Sequence, residues 1–98
     1  MNMQNLMAQV QKMQRDIQKK KEEIDKTLFI GKSELVEVVF NGKKEMISIK
    51  INSQNLDSDD IEMIEDMILI ASKDAIAQID KEIDSKLGSI GSGLGGLF

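Results

Sequence analysis

The chain has 98 residues, 41% of them hydrophobic, and 13 Lys/Arg against 17 Asp/Glu give a net charge of −4. That length makes one small domain with a modest core, which a second copy of the chain would help to complete. Cys, His, Tyr and Trp are all absent. Thiolate chemistry, zinc–thiolate sites and the usual near-neutral acid–base groups are therefore missing, and no enzyme, metal centre, cofactor or small-molecule substrate is expected.

The start, MNMQNLMAQVQKMQ, lacks a basic segment followed by a continuous apolar run, so it does not read as a signal peptide. No stretch approaches the roughly 20 apolar residues of a membrane span. A soluble, cytoplasmic protein is expected. Charge is unevenly spread: residues 1–27 carry six basic and four acidic side chains, residues 28–98 seven and thirteen. Such asymmetry can mark where an anionic partner sits, but a difference this mild, taken alone, supports a solvated helix face more than DNA binding.

Residues 2–27 predict a helix. Met3, Leu6, Val10, Met13, Ile17, Ile24 and Leu28 recur in steps of three and four, interrupted where Lys20 takes an apolar position. This seam must pack on something, in the same chain or in another. Elsewhere on the helix, Lys12, Arg15 and Lys19 share one stripe, with Lys20 and Lys21 following and Lys26 able to extend it. Gln4, Gln11 and Gln18 repeat every seven residues, with Gln14 nearby. Cations neutralise phosphates, and amides bond to phosphate oxygens, sugars or base edges. The plainer reading is a soluble face, because Lys and Gln are good helix formers and Asp16, Glu22, Glu23 and Asp25 dilute the charge.

A β-region follows. Leu35–Phe40 and Met46–Ile51 alternate around Asn41-Gly42, a hairpin signal because both residues tolerate positive φ. Val36, Val38 and Phe40 are expected to share an apolar face with Ile47, Ile49 and Ile51, and Leu28–Ile30 to add a short edge strand. Residues 57–87 then predict a second, long helix with Asp57 or Ser58 as N-cap and an acidic first turn suited to the helix dipole. Its face, including Ile64, Ile68, Ala71 and Ala75, is expected to cover the sheet, widened by Met63, Met67 and Ile70. These sheet and helix positions form the expected core and dimerisation surface. Gly88 marks the expected helix end, so residues 1–87 read as one domain and the Gly-rich residues 88–98 as a flexible tail.

The fold class is α+β: a long N-terminal helix, a three-stranded antiparallel sheet and a long C-terminal helix, assembled as a homodimer. Two local matches fail. Gly31-Lys32-Ser33 ends like a phosphate-binding loop, but Lys26 stands where that motif needs Gly. The acidic run from Asp57 has Glu62 where a calcium loop needs Gly, and helix capping explains it better.

Taken together, NLMAQVQKMQRDIQK, LVEVVFNGKKEMISIKI, LDSDDIEMIEDMILIASKDA and GSGLGGLF, in that order, resemble the YbaB/EbfC family of bacterial nucleoid-associated proteins over nearly the whole chain. The resemblance implies a homodimer with a sheet core and protruding helical arms. It also implies binding of duplex DNA with little sequence preference, and roles in nucleoid organisation and gene expression. Three positions depart from the pattern. The Gly-rich linker before the central strand is reduced to Gly31-Lys32-Ser33-Glu34, Glu37 replaces a frequent Lys or Thr, and Ser53 replaces a common Pro. On this reading Lys12, Arg15, Lys19, Lys20 and Lys21 contact phosphates, and Gln11, Gln14 and Gln18 add polar contacts. The competing reading is an adaptor for recombination or replication proteins, using the acidic second helix (ten acidic and three basic residues over 57–87) and the Leu/Phe tail.

Overall fold

The computed structural model describes residues 2–91, with side chains described through Gly88. Helix α1 runs from Met3 to Lys26, capped by Asn2, whose side chain accepts from the Asn5 N–H at 2.8 Å. Strands β1 (Leu28–Ser33), β2 (Val36–Asn41) and β3 (Met46–Ile51) form one antiparallel sheet in that order. A single 3-10 turn, Ser58–Asp60, leads into helix α2, Ile61–Gly91. Asp57 is the cap: it accepts from the Asp59 N–H and its own N–H donates to Asp60, a reciprocal capping box. The acidic run thus starts a helix.

The helix passes through Gly88 instead of stopping there. Residues 88–91 belong to α2, and the rest of the expected flexible tail, residues 92–98, lies outside the described residues.

Helix α2 lies across β1 and β2 and antiparallel to β1. Its Asp74 accepts from the Lys32 N–H at 3.0 Å, and one turn on, Gln78 donates to the Ile30 carbonyl at 2.8 Å. These two side chains satisfy backbone groups on the free edge of β1, which would otherwise invite another strand. Between them the helix comes so close to the strand that Gly31 meets Ala71 and Ala75. A Cβ at Gly31 would lie 2.8 Å from the Ala75 nitrogen and closer still to the Ala71 carbonyl oxygen. Gly31 is therefore no linker residue; it sits inside β1, where the helix backbone takes the place of a side chain.

The core joins Phe29, Val36, Val38 and Phe40 to Ile64, Met67, Ala71, Ala75 and Ile79, with Ile68 partly buried beside them. Farther along α2, Ile83 and Leu87 reach Ile24 and Lys21 of α1. Only Ile24 of the expected α1 seam is buried and Ile17 partly so; Leu28 has left the helix for β1 and is exposed. Met3, Leu6, Val10 and Met13 are exposed, because α1 projects past the end of α2. The molecule is accordingly a rod of 70 × 19 × 16 Å, with a radius of gyration of 19.2 Å. A compact chain of this length would have about 13 Å.

Two expectations about the sheet need correction. Asn41 and Gly42 do not take positive φ; Lys44 does, at 65°. The turn is longer than two residues: Asn41 Oδ1 accepts from the N–H groups of Lys43 and Glu45, and the chain closes through Lys44 in the left-handed region. Gly42 is needed for space instead. It donates to the Asp25 carbonyl, and a Cβ there would fall 2.9 Å from the Asp25 Cα.

The second correction concerns Ile47, Ile49 and Ile51, which are 55%, 45% and 39% exposed in the single chain and so are not part of its core. Ile49 and Ile51 do share the face of Val38 and Val36, their cross-strand partners, but α2 does not extend over β3. A register shift between Val39 and Phe40 displaces Ile47, which borders a surface hollow with Leu28 and Asn41.

Candidate nucleic-acid interface

With 3.6 residues per turn, Lys12, Arg15 and Lys19 fall on one line along α1, diametrically opposite Ile17 and Ile24. Burial of those isoleucines against α2 and the sheet orients the helix, and the three cations consequently point away from the body of the molecule. All three are exposed. Among the described residues none makes an ion pair within 4.0 Å, since the pairs found are Lys32–Glu37, Lys44–Asp80 and Lys86–Glu82. Lys26 continues the line at the end of the helix. Glu22 and Glu23 flank its Lys26 end, so the positive potential is greater in the Lys12–Lys19 half, where Asp16 alone stands beside it.

The other expected positions separate. Gln11, Gln14 and Gln18 form a polar strip along one side of the cationic line; Gln18 reaches Glu22 at 3.4 Å. Lys20 and Lys21 lie on opposite flanks, away from the line. Lys21 instead borders a hollow shared with Lys43, Lys44, Asp25, Ile83 and Leu87. Lys44 is held there by Asp80 at 2.8 Å, leaving Lys21 and Lys43 as its two unpaired cations among the described residues. The hairpin lysines escaped the sequence reading because Asn41-Gly42 drew attention to the turn alone; the adjacent Lys43-Lys44 was the available signal. Glu37, which departs from the usual pattern, stands between Lys32 and Lys50 in the sheet ladder, 3.6 Å from the Lys32 ammonium. Its charge is offset locally.

The chemistry available is attraction and hydrogen bonding. Projecting, exposed, unpaired cations at helical spacing suit a polyanion's backbone. The model of the YbaB/EbfC DNA-binding family matches residues 1–94. The chain belongs to the YbaB/EbfC DNA-binding family. Its relatives in this family include a nucleoid-associated protein of Lactococcus lactis subsp. cremoris strain MG1363, 44% identical over 96 residues, covering 96% of this chain and 97% of that protein. One from Agathobacter rectalis is 40% identical, covering 97% and 86%, and one from Enterococcus faecalis 36% identical, covering 97% and 93%. Like the expected family fold, this YbaB/EbfC member has the helix, three-stranded sheet and helix in order. Among the described residues no helix is long and apolar enough to cross a membrane.

Proposed function

We propose that this protein is a non-enzymatic, nucleoid-associated protein that binds duplex DNA through the phosphate backbone as a homodimer, and thereby shapes nucleoid organisation and gene expression. The observation that carries the reading is the line Lys12, Arg15, Lys19, exposed on a helix that projects from the fold of a DNA-binding family. Gln11, Gln14 and Gln18 supply neutral donors along its side, and Lys20, Lys21 and Lys43 add to the surrounding positive field. No base-reading geometry is required, so the binding is expected to be loose in sequence preference and steeply dependent on salt.

The uncovered side of the sheet supports the homodimer. Ile49 and Ile51 lie in the same face as Val38 and Val36, yet those valines are fully buried while the isoleucines are not. The flank of α2 turned away from Asp74 and Gln78 carries Ile68 and Ile76, both only partly buried, beside this strip. One sheet edge is protected by helix side chains and the other, β3, is left open with an apolar face. A second copy meeting the first along β3 would cover it and carry two cationic arms on one particle, raising avidity without new contacts.

Replacing Ile49 and Ile51 by aspartate tests this arrangement. Both side chains are exposed in the single chain, so the protomer is expected to fold while sedimentation reports half the mass of the parent. Duplex affinity should fall at least about tenfold through loss of the second arm. A variant that keeps the parent's mass would put the dimer contact elsewhere.

A further inference from the structure

The apolar row Met3, Leu6, Val10 and Met13 on the projecting half of α1 is exposed, while the next member of the same row, Ile17, is partly buried against the core. The row lies opposite the cationic line, so contact with DNA leaves it without a role. A helix held by so little tertiary contact is marginal in water, and this one exposes a continuous apolar strip.

What surrounds the row identifies its occupant. Steps of three, four and three residues are those of a coiled-coil seam, and in such seams the charges at the flanking positions set which helices pair. Here the flanks are neutral: Asn2 and Gln9 lie on one side, Met7 and Gln14 on the other. Lys12 is the only charged side chain between residues 2 and 14, and it stands on the far side of the helix. A charged foreign helix would find no countercharge beside the seam. Two copies of this arm, each cationic, can meet there without bringing like charges together. The occupant that fits is the same row on a second copy.

The fold also sets the direction. Beyond Ile17 the seam side of α1 is taken up by the chain's own α2, whose Ile83 and Leu87 pack by the buried Ile24. Arms lying parallel would bring both bodies to the same end and the same side. Antiparallel arms keep the bodies at opposite ends. The spacing of the row reads the same in both directions, so Leu6 would meet the partner's Val10 and Met3 the partner's Met13. The overlap, from residue 3 to residue 13, is about 15 Å and stays within the projecting part of the helix.

We propose that the projecting halves of α1 from two copies pair antiparallel through this row. The contact is separate from the β3 edge, does not rest on what the cations bind, and leaves Lys12, Arg15 and Lys19 of each arm facing outward. Two different two-fold contacts on one protomer let copies continue into an assembly larger than a dimer.

Because the chain contains no cysteine, single thiols test the contact cleanly. Full-length Leu6→Cys and Val10→Cys proteins, one of them isotope-labelled, are mixed, oxidised mildly and read by mass. The bridge between position 6 of one chain and position 10 of the other is expected at least about tenfold faster than either variant with itself, since a disulfide needs Cα atoms within about 7 Å. Lys12→Cys, on the far side of the helix, gives the rate of chance collision. Bridges no faster than that rate would overturn the proposal, and a preference of each variant for itself would overturn the antiparallel arrangement. The mixed bridge should persist when both chains also carry Ile49→Asp and Ile51→Asp; its loss there would contradict a contact separate from β3. As a readout without cysteines, Leu6→Gln with Val10→Gln should lower the average mass that sedimentation reports at high protein concentration, and an unchanged mass would count against the pairing.

Discussion

Changing Lys12, Arg15 and Lys19 together to glutamate is expected to abolish measurable duplex binding, lowering affinity by at least about a hundredfold at moderate salt. In a dimer the triple change removes six cations and installs six anions on the surface that would face the phosphates. The fold has no reason to respond. All three side chains are exposed, none makes an ion pair among the described residues, and the buried side of α1 is the opposite one. Glutamate is also as good a helix former as lysine or arginine. Circular dichroism and sedimentation should match the parent. The comparison that isolates the site is Lys73, Lys81 and Lys86 of α2 changed to glutamate, an identical shift in net charge on a different helix. That variant should lose far less affinity; equal losses would mean that overall charge, and not the α1 line, governs binding.

The second large effect concerns stability. Gly31→Ala is expected to destabilise the fold by about 3 kcal/mol, near the upper end for overpacking, and Gly31→Val by more. Atoms facing the new methyl group belong to the α2 backbone at Ala71 and Ala75, which have no rotamer to yield. Relief requires lifting the helix from the sheet. That would loosen Val36, Val38 and Phe40 and stretch the Asp74 and Gln78 bonds to the β1 edge. Urea denaturation should show the midpoint fall sharply. Gly88→Ala is the counterpart: it lies within α2, nothing stands within 4 Å of its added methyl, and a gain of roughly 0.5–1 kcal/mol is expected. An unchanged midpoint for Gly31→Ala would mean that the close approach of helix and strand is not maintained in solution.

These positions also show what the sequence could and could not reveal. Periodicity located both helices and the hairpin strands to within a few residues, because burial on one face writes a repeat into the chain. It identified Val36, Val38, Phe40, Ile64, Ala71 and Ala75 correctly as core. The same logic misplaced Ile49 and Ile51, since alternation tells which residues want covering and not whether the cover lies in the same chain. Leu6, Val10 and Met13 repeat that lesson on α1. Gly31 read as a spent loop motif because a glycine's role in close packing depends on what crosses it, here a helix 40 residues later. Asn41-Gly42 correctly marked a turn but not its conformation, which Asn41 side-chain bonds and Lys44 set together. The cationic line was fully legible, being local to one helix. That it faces away from the body depended on Ile17 and Ile24 being the buried side, and that Lys20 and Lys21 leave the line follows from helical spacing alone.

The central claim, backbone binding of duplex DNA by a paired set of cationic arms, is tested most directly by fluorescence anisotropy of a labelled random-sequence duplex titrated with the intact protein across a salt series. With three cations engaged from each of two arms, the account predicts a log–log slope near −5, or about a thousandfold loss of affinity between 50 and 200 mM salt. Absence of binding even at the lowest salt would contradict it. The acidic surface of α2 would then dominate, and the search for a partner would turn to proteins.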